Sequence, residues 1–249
     1  MRTFGLIGYP LSHSFSPAYF AEKFAREGIL DCTYKAFPIE SIEELPALLS
    51  NTPELEGLNV TIPYKKQVIR YLNESSEAVK QMAACNTIKI KDGILKGYNT
   101  DVTGFEKSLK PNLTAGHTKA LVLGTGGAAA AVEYVLNNLN IDFLFVTRNS
   151  KSGSRHINYD DVTGNLLKDY KLIINTTPLG MYPSVNECPA IPYQNLSTGH
   201  YLYDLVYNPA ETLFLKNGAK NGAVIKNGAD MLVIQAEESW KIWNEEKNA

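Results

Sequence analysis

The stretch "KALVLGTGGAAAAVEYVLNNL", residues 119–139, restricts the fold more than any other part of the chain. A short apolar run leads into Gly124-x-Gly126-x-x-Ala129 and then into a helix of small residues. Gly124 permits a tight turn, Gly126 lets a backbone approach a pyrophosphate, and small Ala129 lets the helix pack closely on a sheet. A helix starting there offers free N–H groups and the positive end of its dipole to an anion. A Gly-rich turn after a buried strand that opens a helix therefore predicts a dinucleotide-binding βαβ unit.

The surrounding rhythm agrees with that unit. "FLFVTR", "KLIINTTP", "YLYDLVYNP" and "AVIKNG" are further short apolar runs separated by helical or loop segments. Continuous apolar strands with helices between them predict a parallel sheet covered on both faces. The end of the second strand selects the cofactor. An enzyme of the NAD type places Asp or Glu there to accept from the ribose 2′-hydroxyl. This chain reads "FLFVTRNSKSGSR", with Arg148 at that position and Lys151 and Arg155 shortly after. Cations suit a 2′-phosphate, so NADP(H) is expected over NAD(H).

Ahead of this region the chain has a different pattern. "TFGLIGYP", "TYKAFPI" and "LEGLNVTIP" read as strands, with helices at "SPAYFAEKFAREG" (Ser16 as cap, Gly28 past its end) and "SIEELPALLSN". "KQVIRYLN" and "SEAVKQMAA" read as helices, and "NTIKIKDGILKGYNTD" as a hairpin about Asp92-Gly93. A helix "VTGFEKSLK" and a break at "PNLTAGHT" mark the domain boundary. The 249 residues exceed what one core usually needs, so two lobes are expected. The final "ADMLVIQAEESWKIWNEE" reads as an amphipathic helix carrying both tryptophans.

Bulk properties exclude several classes of function. A net charge of −2 with no basic run leaves no electrostatic footprint for nucleic acid. The apolar runs are too short for a membrane span, and "MRTFGLIGYP" contains no apolar leader. Cys32, Cys85 and Cys188 have no paired spacing and suit free thiols in a reducing cytoplasm. The four histidines are scattered, and no metal is expected.

Polar residues gather at the predicted strand ends of the first lobe. In "NVTIPYKKQV", Val60 and Ile62 alternate with Asn59 and Thr61 until Pro63 stops the strand. Lys65 follows, and two readings fit: a solvated lysine after an edge strand, or an ammonium aimed into a cleft. Ser14 and Ser16 beside a helix start can cap that helix or cradle an anion. Asp101 fits an N-cap as well as a cleft carboxylate. With Asn86 these residues offer amides, hydroxyls, one ammonium and one carboxylate, a set suited to a small polyhydroxylated ligand.

The motifs "SHSFSP", "GLNVTIPYK", "CNTI", "GYNTD", "GTGGAA", "INTTPLGM", "YDLVYNP" and "NGADMLVIQA" occur in an order that resembles the shikimate dehydrogenase family over nearly the whole chain. The resemblance implies an α/β chain of two lobes: an open α/β substrate-binding domain over 1–103 and a Rossmann-like NADP-binding domain over 104–228. The C-terminal helix 229–249 would return to the first. It implies NADPH-dependent reduction of 3-dehydroshikimate to shikimate, in the route to chorismate and aromatic amino acids. Lys65 and Asp101 would be the catalytic pair. Ser14 and Ser16 would hold the substrate carboxylate with Tyr207 nearby, while Asn59, Thr61, Asn86 and Gln235 would bind ring hydroxyls or orient neighbours. Gly124, Gly126, Gly127 and Ala128 of the turn and Thr147, Arg148, Asn149 and Lys151 of the strand end would hold the cofactor. Thr176, Leu205, Gly228 and Met231 would line its nicotinamide side.

Two departures stand out. Ser152 occupies roughly the place of a second cofactor-binding arginine, which Lys151 or Arg155 would have to replace, and Cys85 stands before Asn86-Thr87. Shikimate or 3-dehydroshikimate is the expected small-molecule partner, in a cytoplasmic monomer or homodimer with no nucleic-acid or membrane partner. Two other readings remain: a quinate/shikimate dehydrogenase of broader specificity, and a catalytically silent NADP-binding regulator.

Overall fold

In the computed structural model, which describes residues 1–12, 14–148 and 155–245, the chain forms two units: Met1–Gly104 with Leu232–Ala249, and Phe105–Met231. Each has its own six-stranded sheet.

The first unit runs β1 (Arg2–Gly8), α1 (Phe15–Glu27), β2 (Cys32–Pro38), α2 (Leu45–Asn51), β3 (Leu55–Val60), β4 (Glu74–Ser75), α3 (Glu77–Met82), β5 (Thr87–Lys91), β6 (Ile94–Tyr98) and α4 (Thr100–Leu109). The strand order is β2-β1-β3-β5-β6-β4. β1 pairs in parallel with both β2 and β3, whereas β5 is antiparallel to β3 and to β6. The β5–β6 hairpin turns where the sequence predicts, with Asp92 and Gly93 at φ 51° and 77°. Both values are positive, as a type I′ turn demands. Gly28, at φ 65°, closes α1 by donating its N–H to Phe24 O.

Four local readings change. β3 is interior, between β1 and β5, and is buried along almost its whole length. Its apolar–polar alternation therefore separates two buried layers, not a core face and a wet face. The strand stops at Val60, and Ile62 is 74% exposed. Ser14, not Ser16, is the N-cap residue of α1, and it makes no side-chain capping bond. "KQVIRYLN" forms only a short 3₁₀ turn over Gln67–Tyr71.

The second unit runs β7 (Lys119–Leu123), α5 (Ala129–Asn138), β8 (Asp142–Thr147), β9 (His156–Asn158), α6 (Gly164–Asp169), β10 (Leu172–Asn175), β11 (Tyr201–Asp204), α7 (Leu213–Lys220), β12 (Val224–Lys226) and the start of α8 (Ala229–Asn244). All five strand pairings are parallel, in the order β12-β11-β10-β7-β8-β9. The chain winds outward from β7 through β9, then crosses back to β10 and winds the other way. This doubly wound order opens a crevice beyond the strand ends at β7 and β10. β9 was not expected, because "HIN" holds a single apolar residue, whereas the equally short β12 lies in the apolar run "AVIKNG".

Each sheet has its core. One face of the first packs Ile7, Leu58, Val60, Ile88 and Leu95 with Leu45 and Val68. The other packs Phe4 with Phe20 and Phe24 of α1 and Trp243 of α8. Gly57 lets α8 seat this closely, because a Cβ there would lie 2.3 Å from Trp243 Nε1. That indole N–H donates to Ile88 O at 2.9 Å. In the second unit Leu121, Leu123, Ile173, Leu202, Phe214 and Leu215 form a continuous core. No helix among the described residues is long and apolar enough to cross a membrane.

Candidate active site

Strand register brings the polar segments of the first unit to one sheet edge. Ile7 lies opposite Val60, Asn59 opposite Thr87, and Thr87 opposite Tyr98. The C-terminal ends of β1, β3 and β6 and the start of β5 therefore open on the same side. Tyr9 N donates to Ile62 O at 3.1 Å, which ties the loops after β1 and β3 together.

At this edge Lys65 Nζ donates to Asp101 Oδ2 at 2.7 Å, with the two side chains 33% and 15% exposed. Backbone contacts fix both partners. Lys65 O accepts from Cys85 N at 2.8 Å, and the neighbouring Tyr64 is buried with its hydroxyl on Ile39 O at 2.7 Å. Asp101 is not the cap of α4. Asn99 Oδ1 accepts from Asp101 N at 3.1 Å, and Asn99 Nδ2 donates to Ala84 O at 2.9 Å. The Asp101 carboxylate is thereby left for Lys65. Partly exposed pairs contribute little to stability.

Beneath the pair runs a buried hydrogen-bond network that the sequence did not reveal. Asn86 Oδ1 accepts from Thr100 N at 2.7 Å and fixes the start of α4. Asn86 Nδ2 donates to Thr100 Oγ1 at 3.1 Å. Thr87 Oγ1 lies 3.3 Å from Thr100 Oγ1 and 3.0 Å from Ser239 Oγ of α8. Asn59 Nδ2 donates to Ser239 Oγ at 2.9 Å, and Asn59 Oδ1 accepts from Tyr34 OH at 2.8 Å. Burial pushes the Tyr34 phenol above its ordinary range, opposed by a hydrogen bond with Ser16. Asn59 and Asn86 thus spend their amides on protein partners and orient neighbours.

Other expected residues of this unit keep polar ends unspent. Ser14 N donates to Leu11 O at 3.1 Å, while its hydroxyl caps nothing. Thr61 N donates to Ile7 O at 2.9 Å, and no hydrogen bond engages its hydroxyl among the described residues. Gln235 is half-buried on α8 one turn before Ser239, whose hydroxyl donates to Gln235 O at 2.9 Å. Its side-chain amide has no partner among the described residues.

The second unit carries the glycine turn. Gly124 has φ 101°, and a Cβ there would lie 2.8 Å from Thr177 Cγ2. Only glycine meets both demands. At Gly126 and Gly127 an added Cβ would meet nothing within 4 Å, so the turn faces open space. α5 begins just after, with Ala128 at its N-cap and Ala129 buried against the sheet. A cleft of about 640 Å³ is lined by Gly124, Gly126, Thr147, Arg148, Thr176 and Tyr159, among others. An open backbone turn at a helix N-terminus with a cation at the neighbouring strand end fits a dinucleotide phosphate. Thr176 hangs its hydroxyl on Leu123 O at 2.8 Å. Leu205 and Gly228 meet closely: a Cβ on Gly228 would lie 2.2 Å from Leu205 O. Met231 is buried at the start of α8, and Tyr207 lies past β11, 38% exposed. Asn149 and Lys151 lie outside the described residues. Arg155 stacks over Phe143, 5.0 Å from its centroid.

A second buried network shapes the cleft wall. Asp204 has no exposed surface and accepts from Asn175 Nδ2 at 2.9 Å, Val206 N at 3.0 Å and Thr212 Oγ1 at 2.5 Å. Asn175 Oδ1 in turn accepts from Thr177 N at 3.0 Å and Thr177 Oγ1 at 2.6 Å. Polar residues ending the apolar runs "LIIN" and "YLYD" were the available signal.

Comparison with known proteins agrees with both halves. Residues 6–88 match the profile of the shikimate dehydrogenase substrate binding domain. The NADP(+)-type shikimate dehydrogenase of Methanosphaera stadtmanae is 36% identical over 96% of this chain and 90% of its own. A chorismate mutase/shikimate 5-dehydrogenase fusion protein from Clostridium acetobutylicum superposes with a TM-score of 0.86 at 38% identity, covering 98% of this chain and 91% of that one. Shikimate 5-dehydrogenase from Thermus thermophilus, solved in complex with NADP(H) and shikimate, gives 0.84 at 28% identity over 98% and 94%. By sequence along almost its whole length, and by fold, the chain belongs to the shikimate dehydrogenase family.

Proposed function

We propose that this chain reduces 3-dehydroshikimate to shikimate with NADPH, using Lys65 and Asp101 as its catalytic pair. The observation that carries the reading is the 2.7 Å contact between Lys65 Nζ and Asp101 Oδ2 at a strand edge rich in unspent polar groups. Ketone reduction places a hydride on carbon and a proton on oxygen. Bound NADPH supplies the hydride. Lys65 has three N–H donors and gives one to Asp101. A second donates to the substrate carbonyl, stabilises the developing alkoxide and then transfers its proton. In the reverse direction Lys65 accepts that proton. Asp101 keeps the ammonium aimed.

Ser14, Ser16 and the start of α1 bind the carboxylate, while Thr61 and Gln235 take ring hydroxyls. Asn86 acts through Thr100, whose N–H it holds at the start of α4. Gly124, Gly126, Gly127 and Ala128 present the phosphate-binding turn, and Thr147 and Arg148, with Asn149 and Lys151, receive the 2′-phosphate. Thr176, Leu205, Gly228 and Met231 form the nicotinamide side, and Tyr207 serves the substrate carboxylate. The three free thiols suit a cytoplasmic enzyme. Light scattering separates monomer from homodimer.

The test is NADP⁺ or NAD⁺ reduction with shikimate or quinate as donor. The reading expects turnover with shikimate and NADP⁺. Lys65→Ala should lower kcat by roughly 10²–10⁴ with little change in KM. No turnover with either donor, or an unchanged kcat in the variant, sinks it.

A further inference from the structure

The strand end that must tell a ribose phosphate from a ribose hydroxyl holds few cations among the described residues. Arg148 lines the cleft there. Arg155 does not join it. Its guanidinium lies over Phe143, four residues before Thr147 on β8. At about 3.3 Å per residue that is roughly 13 Å short of the strand end.

An aromatic residue stands beside Arg148 instead. β9 runs parallel to β8 with Asn158 opposite Thr147, so Tyr159 emerges at the same sheet edge as Arg148. Both line the cleft with Gly124 and Gly126. The Tyr159 ring packs against the core of the second unit, which fixes its place. Burial raises the phenol pKa and the Arg148 charge opposes the rise, so the two groups are within electrostatic reach. The hydroxyl makes no hydrogen bond to another described residue. A half-buried donor left unpaired beside a cation suits a ligand oxyanion.

We infer that Tyr159 is a cofactor-recognition residue whose hydroxyl donates to the 2′-phosphate of NADP(H) beside the Arg148 guanidinium. The inference rests on reading this cleft as the NADP(H) site. It explains how the strand end recognises a phosphate while Arg155 is turned to Phe143. The phenol adds a directed donor to the Arg148 charge, and it can add nothing to NAD(H), which has no phosphate there.

Titration of full-length wild type and Tyr159→Phe with NADPH and with NADH, followed by nicotinamide fluorescence, tests it. The variant keeps the ring and its packing. Loss of a hydrogen bond to a charged group should raise the NADPH dissociation constant roughly ten- to a hundredfold and leave NADH within about twofold. Equal weakening of both cofactors, or weakening of neither, overturns the inference while wild-type preference for NADPH leaves the cofactor reading intact. A wild type that binds neither cofactor, or prefers NADH, removes the cofactor reading and this inference with it.

Discussion

Asp204 offers a sharp test of how the second unit is built. Burial lifts its pKa from 3.8 to about 6, against the pull of hydrogen bonds from Thr212, Val206 and Asn175. A carboxyl whose pKa is raised by folding favours the native state while protonated. Its contribution is complete below 3.8 and is lost as pH climbs through about 6. The gap corresponds to about 3 kcal/mol at neutral pH. From about pH 4.5 to about pH 7.5 the share lost is roughly 2 kcal/mol. Asp204→Asn removes the titration and keeps the shape. Its amide oxygen can take the Asn175 and Val206 donors, and its NH₂ can donate to Thr212 Oγ1. Both tryptophans belong to α8, so their fluorescence reports poorly on this region. Native-state hydrogen exchange at β10 and β11 reads it directly, and comparing the two proteins at each pH cancels intrinsic exchange. The variant should gain roughly 2 kcal/mol on wild type across that pH range. A difference that stays constant with pH would show that Asp204 does not titrate as its burial requires, and the reasoning would fall.

Two further substitutions probe the expected binding residues. Gly228→Ala drives a methyl to 2.2 Å from Leu205 O, a backbone atom with little room to yield. It should cost about 1–3 kcal/mol in urea unfolding and weaken NADPH binding; a neutral effect on both would remove Gly228 from the nicotinamide side. Tyr34→Phe leaves Asn59 Oδ1 without its 2.8 Å donor and Ser16 without its phenol partner. Thermal and urea melts should show a loss of about 1–3 kcal/mol. KM for shikimate should rise while the NADPH dissociation constant holds, and a change confined to the cofactor would contradict the assignment.

The parts of the fold legible in the sequence are those fixed by local chemistry. Asp92-Gly93 announces its turn because both residues must take positive φ. Gly124-x-Gly126-x-x-Ala129 announces a strand, a turn and a helix because few other sequences satisfy all three at once. β9 escaped, since its one apolar residue, Ile157, makes no run and its identity comes from pairing with β8. The interior place of β3 is hidden for a related reason. Alternation reports that the two faces differ, not that one of them is wet. Asn59 faces a polar layer made by Thr87 and Ser239, and Ser239 lies 180 residues away in sequence. The same distance hid the buried network. Tyr34, Thr87, Thr100 and Ser239 look like ordinary strand and helix residues until the sheet and α8 place them together.

That network bears on why a partly buried ion pair can be well positioned. A buried hydroxyl or amide without partners is costly, whereas a complete set stiffens its surroundings. Here the set is closed from Tyr34 through Asn59, Ser239, Thr87 and Thr100 to Asn86. Its last link, Asn86 Oδ1 to Thr100 N, pins the first turn of α4, which carries Asp101. The same hydroxyl of Ser239 that satisfies Asn59 also donates to the carbonyl of Gln235. Asp101 and Gln235 are therefore referenced to one rigid frame, although they come from the two separate chain segments that make up the unit. Lys65 is anchored independently through its own carbonyl on Cys85 N. Position at this edge is set by buried neutral hydrogen bonds, which is the precision that the proposed proton transfer from Lys65 requires.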